Sequence, residues 1–154
     1  MEQVHVESFK VIGVPVRTSD KFGKSVVDVG LTGLRFGFYG LYDKIPNKAN
    51  ENSYVVYTDA EPKYLGDFTA IIGCAVSSFD EVPEGMVGTV VPGGEYTKYS
   101  VHGEATEVVV DKWNEIWKKD EETSRIRTTD FDVYNGYPIN LSDVNVDIYV
   151  NEGK

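Results

Sequence analysis

In the segment DFDVYNG (130–136) a carboxylate, Asp132, interrupts a short run of strand-forming residues. Aspartate is depleted in strands because its short side chain competes with the backbone and resists burial. Such an acid either lies on a wet face or meets something positively charged. Period-two geometry places Asp132 and Tyr134 on one face of the strand, with Phe131 and Val133 on the other. In NVDIYVN (145–151) the same rule sets Asp147 with Tyr149, opposite Val146, Ile148 and Val150. Each segment thus presents an acid followed by a tyrosine. A carboxylate beside aromatic faces suits an organic cation, since each ring adds about 0.5–2 kcal/mol by cation–π contact. The structural alternative for Asp132 is an exposed edge position or an ion pair with Arg125 or Arg127.

The elements that must position these residues follow from hydrophobic periodicity. HVESFKVIGVPV (5–16) reads as one strand. Residues 25–44 are apolar at helical spacing but include four glycines. Each interior glycine costs a helix about 1 kcal/mol, so an irregular or late-starting helix is expected. SYVVYTD (53–59) and FTAIIGCAV (68–76) read as strands joined by a turn, and EVPEGMVG as a connector. TVVPGGEYTKYSVHG (89–103) is a strand pair or one bulged strand. EATEVVVDKWNEIWKKDEE (104–122) is the strongest helix, with an apolar stripe at 105, 109, 113 and 116. DFDVYNG and NVDIYVN close the chain as strands.

Strand, helix, strand, strand therefore occurs twice, which predicts a single α+β domain over 1–154. It consists of two βαββ repeats, about 1–80 and about 86–151, related by a pseudo-two-fold axis. The sheet is expected to be mostly antiparallel, with both helices on one face and a ligand cleft at the junction. Aligning VYT on VYN sets Val55 against Asp132 and Tyr57 against Tyr134. One repeat is aliphatic where the other is acidic, so the unit's fold does not require the acid.

Composition narrows the function. Fifteen Lys and Arg against 25 acids give a net charge of -10, which disfavours a phosphate backbone as partner and suits a cationic ligand or a basic protein surface. One cysteine, Cys74, and two histidines support neither a disulfide framework nor a structural zinc site. FGKS (22–25) ends like a phosphate loop, but Thr18 stands where the motif needs glycine. No GxSxG elbow marks a nucleophile, and nothing calls for a cofactor. No apolar run approaches the ~20 residues that span a bilayer, so a soluble cytoplasmic protein is expected, with no membrane partner. A strand edge or the glycine-rich helix offers a surface for a homodimer or a protein partner.

VPGGEYTKYSVHG (91–103), VVVDKWNEIW (108–117), DFDVYNG and VDIYV (146–150) together resemble the second half of the GyrI-like effector-binding domain. KIPN (44–47), SYVVYTD and FTAIIGCAVSS (68–78) resemble stand-alone members of that family, including integron-cassette proteins. The resemblance implies a cleft at the junction of two βαββ units that receives hydrophobic, cationic, drug-like molecules. It implies that Asp132 takes the place of the family's cation-facing acid, usually Glu. It also implies ligand-binding roles for Asp147, Tyr149, Tyr57 and Trp113, and Tyr134 joins them from its face. Asp132 is one methylene shorter than Glu, and Gly33 stands where the first helix commonly carries Trp. Without a DNA-binding domain the chain would not itself be a transcription activator. The resemblance leaves two alternatives to a non-enzymatic binder: a hydrolase of strained electrophilic toxins using the same acid and tyrosine, and an inhibitory partner of DNA gyrase.

Overall fold

The computed structural model describes residues 1–19, 24–61, 66–123, 125, 127–136 and 139–152. Phe22 and Gly23 of FGKS, and most of the turn expected before FTAIIGCAV, lie outside the described residues. In chain order the elements are β1 (Glu2–Val6), β2 (Phe9–Ser19), α1 (Lys24–Phe38), α2 (Leu41–Lys44), β3 (Ser53–Thr58) and β4 (Asp67–Val76). There follow β5 (Val87–Val91), β6 (Gly94–Gly103), α3 (Ala105–Thr123), β7 (Asp130–Tyr134) and β8 (Val144–Asn151). The strands form one eight-stranded sheet in the order β1-β6-β8-β7-β3-β4-β2-β5, and every pairing is antiparallel.

The single strand expected over 5–16 is in fact two. Glu7 and Ser8 separate β1 from β2; β1 forms one edge of the sheet, and β2 lies one strand in from the other. Pro15 does not stop β2, because β5 pairs only with Phe9–Gly13. Beyond that point no described strand pairs with that side of β2, so a missing N–H there costs no ladder bond among the described residues. Its other side pairs with β4 throughout, with Gly13 opposite Gly73. A Cβ on Gly73 would stand 1.9 Å from the Ile12 carbonyl oxygen, and one on Gly13 would stand 2.3 Å from that of Ile72. Gly73→Ala is therefore expected to destabilise by about 1–3 kcal/mol through forced backbone displacement, read as a lowered urea midpoint. An unchanged midpoint would show that the two strands can part at no cost.

Helix α1 runs unbroken through Gly30, Gly33 and Gly37, starting at Lys24 rather than late. Burial of one side explains this: Phe36 and Val29 pack with Ile12, Ile72 and Cys74, which offsets the glycine cost. The helix ends only before Gly40, whose φ of 63° no ordinary helical residue adopts. Helix α3 buries Ala105, Val109, Trp113 and Ile116, the expected stripe, and Asp120 one turn on. The Glu104 carboxylate accepts from the Thr106 and Glu107 backbone N–H groups, each at 3.0 Å, and so closes the helix start. The Thr106 hydroxyl and these N–H groups hold the Glu104 carboxyl below its ordinary range.

Both helices cover one face of the sheet. Cross-strand neighbours Ile72, Val55, Asp132 and Ile148 carry that face from β4 through β3 and β7 to β8. Ile72 and Val55 pack in the cluster with α1, and Ile148 packs in the cluster with α3. The other face carries its own apolar layer, Val11, Tyr54, Ile71, Tyr96 and Phe131, with no helix over it among the described residues. β1, at one end, reaches β2 through Glu7–Ser8, while β5, at the other end, reaches β6 through Pro92–Gly93. These connectors pass against each other: a Cβ on Gly93 would lie 2.9 Å from the Ser8 nitrogen.

Candidate functional site

At the centre of the sheet β7 pairs with β3 and β8, so Asp132 lies between Val55 and Ile148. It points to the helix-covered face and is completely buried. The Tyr57 hydroxyl donates to its Oδ2 at 2.6 Å, and the Trp113 indole Nε1–H donates to its Oδ1 at 2.9 Å. The rings form a continuous aromatic wall. Tyr57 meets Trp113 edge-on at 5.0 Å between centroids and Phe68 at 5.9 Å, while Trp113 stacks on Trp117 at 5.5 Å. Tyr134 packs against both helix-side clusters. Among the described residues the buried Trp117 Nε1 has no hydrogen-bond partner, which leaves a donor unsatisfied beside this wall.

Arg125, offered as an alternative partner for Asp132, goes elsewhere. Arg125 donates to both oxygens of Asp120 (2.8 and 2.9 Å) and both of Asp130 (3.2 and 3.0 Å), and to the Asn151 carbonyl at 3.2 Å. Asp130 in turn accepts from the Asn151 backbone N–H at 2.9 Å. Arg127 places its guanidinium carbon 4.9 Å from the Phe68 ring centroid. Among the described residues no cationic side chain pairs with Asp132. Two acids two positions apart thus have opposite environments, Asp130 with a counter-ion and Asp132 with neutral donors only.

Burial dominates the titration of Asp132. Desolvation pushes its carboxyl up to about 7, against the Tyr57 and Trp113 hydrogen bonds, with the Asp130 charge adding to the rise. Burial also drives the Tyr134 phenol above its ordinary range, and the Asp132 charge reinforces that. The closed site therefore holds a carboxyl near its midpoint at neutral pH, in aromatic surroundings. It can receive a positive charge, or act as a proton donor.

The set expected from the sequence divides between the two faces. Asp132, Tyr57, Tyr134 and Trp113 come together on the helix side. Asp147 and Tyr149 do not join them: the register pairs Phe131 with Tyr149 and Val133 with Asp147, which sends both to the opposite face. The inference that they accompany Asp132 is corrected by that one-residue offset. There Tyr149 stacks on Phe131 at 4.5 Å, and Asp147 accepts from Ser100 Oγ at 2.7 Å and Asn135 Nδ2 at 3.3 Å. They line an open groove of about 360 Å³ with Phe9, Tyr54, Phe131 and Asn135. Phe68 and the Arg125 network escaped sequence reasoning. The spacing of Asp120, Arg125 and Asp130 on the path from α3 into β7 was the available signal for the second.

The chain is thus a helix-backed, antiparallel α+β domain in which Asp132 lies buried among aromatic rings with no counter-ion among the described residues. The chain belongs to the Cass2 family, integron-associated effector binding proteins, whose model matches residues 3–151. An integron cassette protein from the mobile metagenome of Vibrio cholerae is 28% identical, with TM-score 0.72 over 97% of this chain and 95% of that one. The protein SAV2435, solved bound to tetraphenylphosphonium, shares the fold at 11% identity, with TM-score 0.73 over 98% and 93% of the two chains. A bacterial transcription regulation protein from Staphylococcus aureus does so at 12%, with TM-score 0.70 over 97% and 95%. No curated protein sequence matches the chain. Among the described residues no helix is long and apolar enough to cross a membrane.

Proposed function

We propose that this effector-binding protein takes hydrophobic organic cations, received at Asp132 between Tyr57, Tyr134 and Trp113, and that it works in the cytoplasm without contacting nucleic acid. The observation that carries this reading is the carboxyl of Asp132, fully buried, held by two neutral donors and with no counter-ion among the described residues. An unpaired charge in such surroundings costs several kcal/mol, which a bound cation recovers. Charge and flat aromatic faces prescribe no outline, so cations of many shapes suit the site. Asp132 has no exposed surface, so entry requires the wall of Tyr57 and Trp113 to give way. Asp147 and Tyr149 serve a separate groove in this reading.

Titration with tetraphenylphosphonium, the cation carried by the similarly folded SAV2435, tests it. Binding should be saturable and should release a proton, because the cation favours the ionised carboxyl. Affinity should rise by up to about tenfold per pH unit below about 7 and level off above it. Asp132→Asn should lose tenfold or more at pH 8, whereas Asp147→Asn should keep it. Equal affinity in wild type and Asp132→Asn would remove the proposed site.

The same geometry supports a hydrolase as second reading. A carboxyl near 7 beside a tyrosine hydroxyl at 2.6 Å is poised as a general acid at neutral pH. Turnover of a reactive cyclopropane-bearing compound, followed by mass spectrometry and abolished in Asp132→Asn, would favour it over simple binding.

A further inference from the structure

The sheet curls over the face that carries no helix. Phe9 of β2 and Phe131 of β7 stand three strands apart in sheet order, which in a flat sheet would hold their backbones roughly 14 Å apart. Their rings nevertheless meet edge-on at 5.2 Å between centroids. The curl makes this face the groove of about 360 Å³. One cross-strand row crosses its floor: Tyr54, Val133, Asp147 and Ser100 are successive partners on β3, β7, β8 and β6. Asp147 is the only Asp, Glu, Lys, Arg or His in the described lining. One of its oxygens accepts from Ser100 Oγ at 2.7 Å, and the other has only the long 3.3 Å bond from Asn135 Nδ2. Among the described residues no cation pairs with it, because Lys98, 5.9 Å from the Tyr149 ring centroid, pairs with Glu2. Asn135 Nδ2 also donates to the Asn145 carbonyl at 3.2 Å, which leaves the Asn135 amide oxygen as a second acceptor beside the carboxylate.

We propose that this groove is a second binding site, separate from Asp132, for small hydrophobic primary amines. The ammonium donates to the Asp147 carboxylate and the Asn135 amide oxygen, and the apolar body lies over Val133 against Phe9 and Phe131. Charge complementarity selects the ligand's head, since an ionised acceptor makes the stronger hydrogen bond with a charged N–H donor. The rings add cation–π and apolar contact for the rest of the molecule. The volume stands near the lower end of ligand pockets, about 300–1,000 Å³, which favours an amine carrying one ring over a bulky quaternary cation. A phosphonium also has no N–H to give Asp147. The groove is open, so entry displaces no wall, in contrast to the enclosed carboxyl of Asp132. The two faces thus take different cations, and this site stands whether or not Asp132 receives one.

Heteronuclear NMR of the full chain, titrated with phenethylammonium, tests this. Saturable shifts should appear at the amides of Tyr54, Val133, Asn135 and Tyr149. The indole N–H signals of Trp113 and Trp117, the chain's two tryptophans and both on the helix side, should stay in place. The uncharged isostere phenethyl alcohol should bind the wild type at least about tenfold more weakly, which reads the charge without any substitution. Asp147→Asn should weaken the amine by about tenfold or more and leave the alcohol unchanged. Asn135→Ala, at an exposed position, should weaken the amine by a smaller factor. Equal binding of amine and alcohol, an amine indifferent to Asp147→Asn, shifts confined to the two indoles, or no saturable shift at millimolar amine overturns the proposal. Failure of tetraphenylphosphonium to bind would sink the Asp132 site and leave these shifts as they are.

Discussion

Arg125→Ala is expected to cost about 3–5 kcal/mol, because it strands two buried carboxylates. Asp130 is 2% exposed and Asp120 8%, and Arg125 is the cation that meets both. The same guanidinium ties the end of α3 to the start of β7 and, through the Asn151 carbonyl, to the end of β8. For a domain of 154 residues, each kcal/mol lowers Tm by roughly 2–4 °C, so a fall on the order of 10 °C should be seen by calorimetry. Arg125→Lys should recover less than half, since an ammonium cannot grip two carboxylates with paired N–H groups. The His102–Asp143 contact is the control: its side chains are 64% and 65% exposed, and removing it should leave the denaturation curve nearly unmoved. An Arg125→Ala protein within 1 kcal/mol of wild type would mean that the carboxylates find water or each other's protons instead.

Asp132→Asn should stabilise the ligand-free protein, and only at neutral to alkaline pH. The carboxyl's folded value of about 7 stands above its ordinary 3.8. Below about 4 the group is protonated whether the chain is folded or not, and its favourable contribution is complete. Between about 4 and 7 the unfolded chain releases the proton while the folded one keeps it, so stability falls as pH rises. Above about 7 the folded protein carries the buried charge and the loss is complete. An asparagine never ionises and avoids the loss. The difference between variant and wild type should therefore open from near zero at pH 4 to on the order of 2–4 kcal/mol at pH 8. A pH-independent difference would place the carboxyl in contact with water or a cation. With tetraphenylphosphonium bound the order should reverse, since the wild type alone gains from the ligand's charge. Loss of function with gain of stability is the signature of a residue kept for binding rather than for folding.

Periodicity carried most of the fold. The stripe at 105, 109, 113 and 116 lies buried in α3, and the pairs of strands after each helix stand where alternation placed them. Local signals failed where long-range pairing decided. Nothing in HVESFKVIGVPV says that Glu7–Ser8 joins opposite ends of a sheet, because β1 owes its place to β6, some ninety residues later. The glycine-rich helix looked fragile for the complementary reason, since packing against β4 is invisible to propensity. At the site, alternation correctly put Asp132 with Tyr134 and Asp147 with Tyr149. It could not relate one strand's phase to the next, because register depends on how β7 and β8 slide past each other. An acid also reveals nothing of its neighbours: among the described residues DFD has one aspartate that meets a guanidinium and one that meets only neutral donors, and nothing in the sequence separates them.

The touching connectors Glu7–Ser8 and Pro92–Gly93 have a genetic consequence. Each joins strands from opposite borders of the one sheet, so β1 borders β6 and β5 borders β2. Each half wears a strand encoded beside the other. A gene cut near codon 80 would yield one fragment bearing a border that belongs to its sibling, and the sibling in the same position. Such pieces could not be inherited, shuffled or traded separately with their sheets intact.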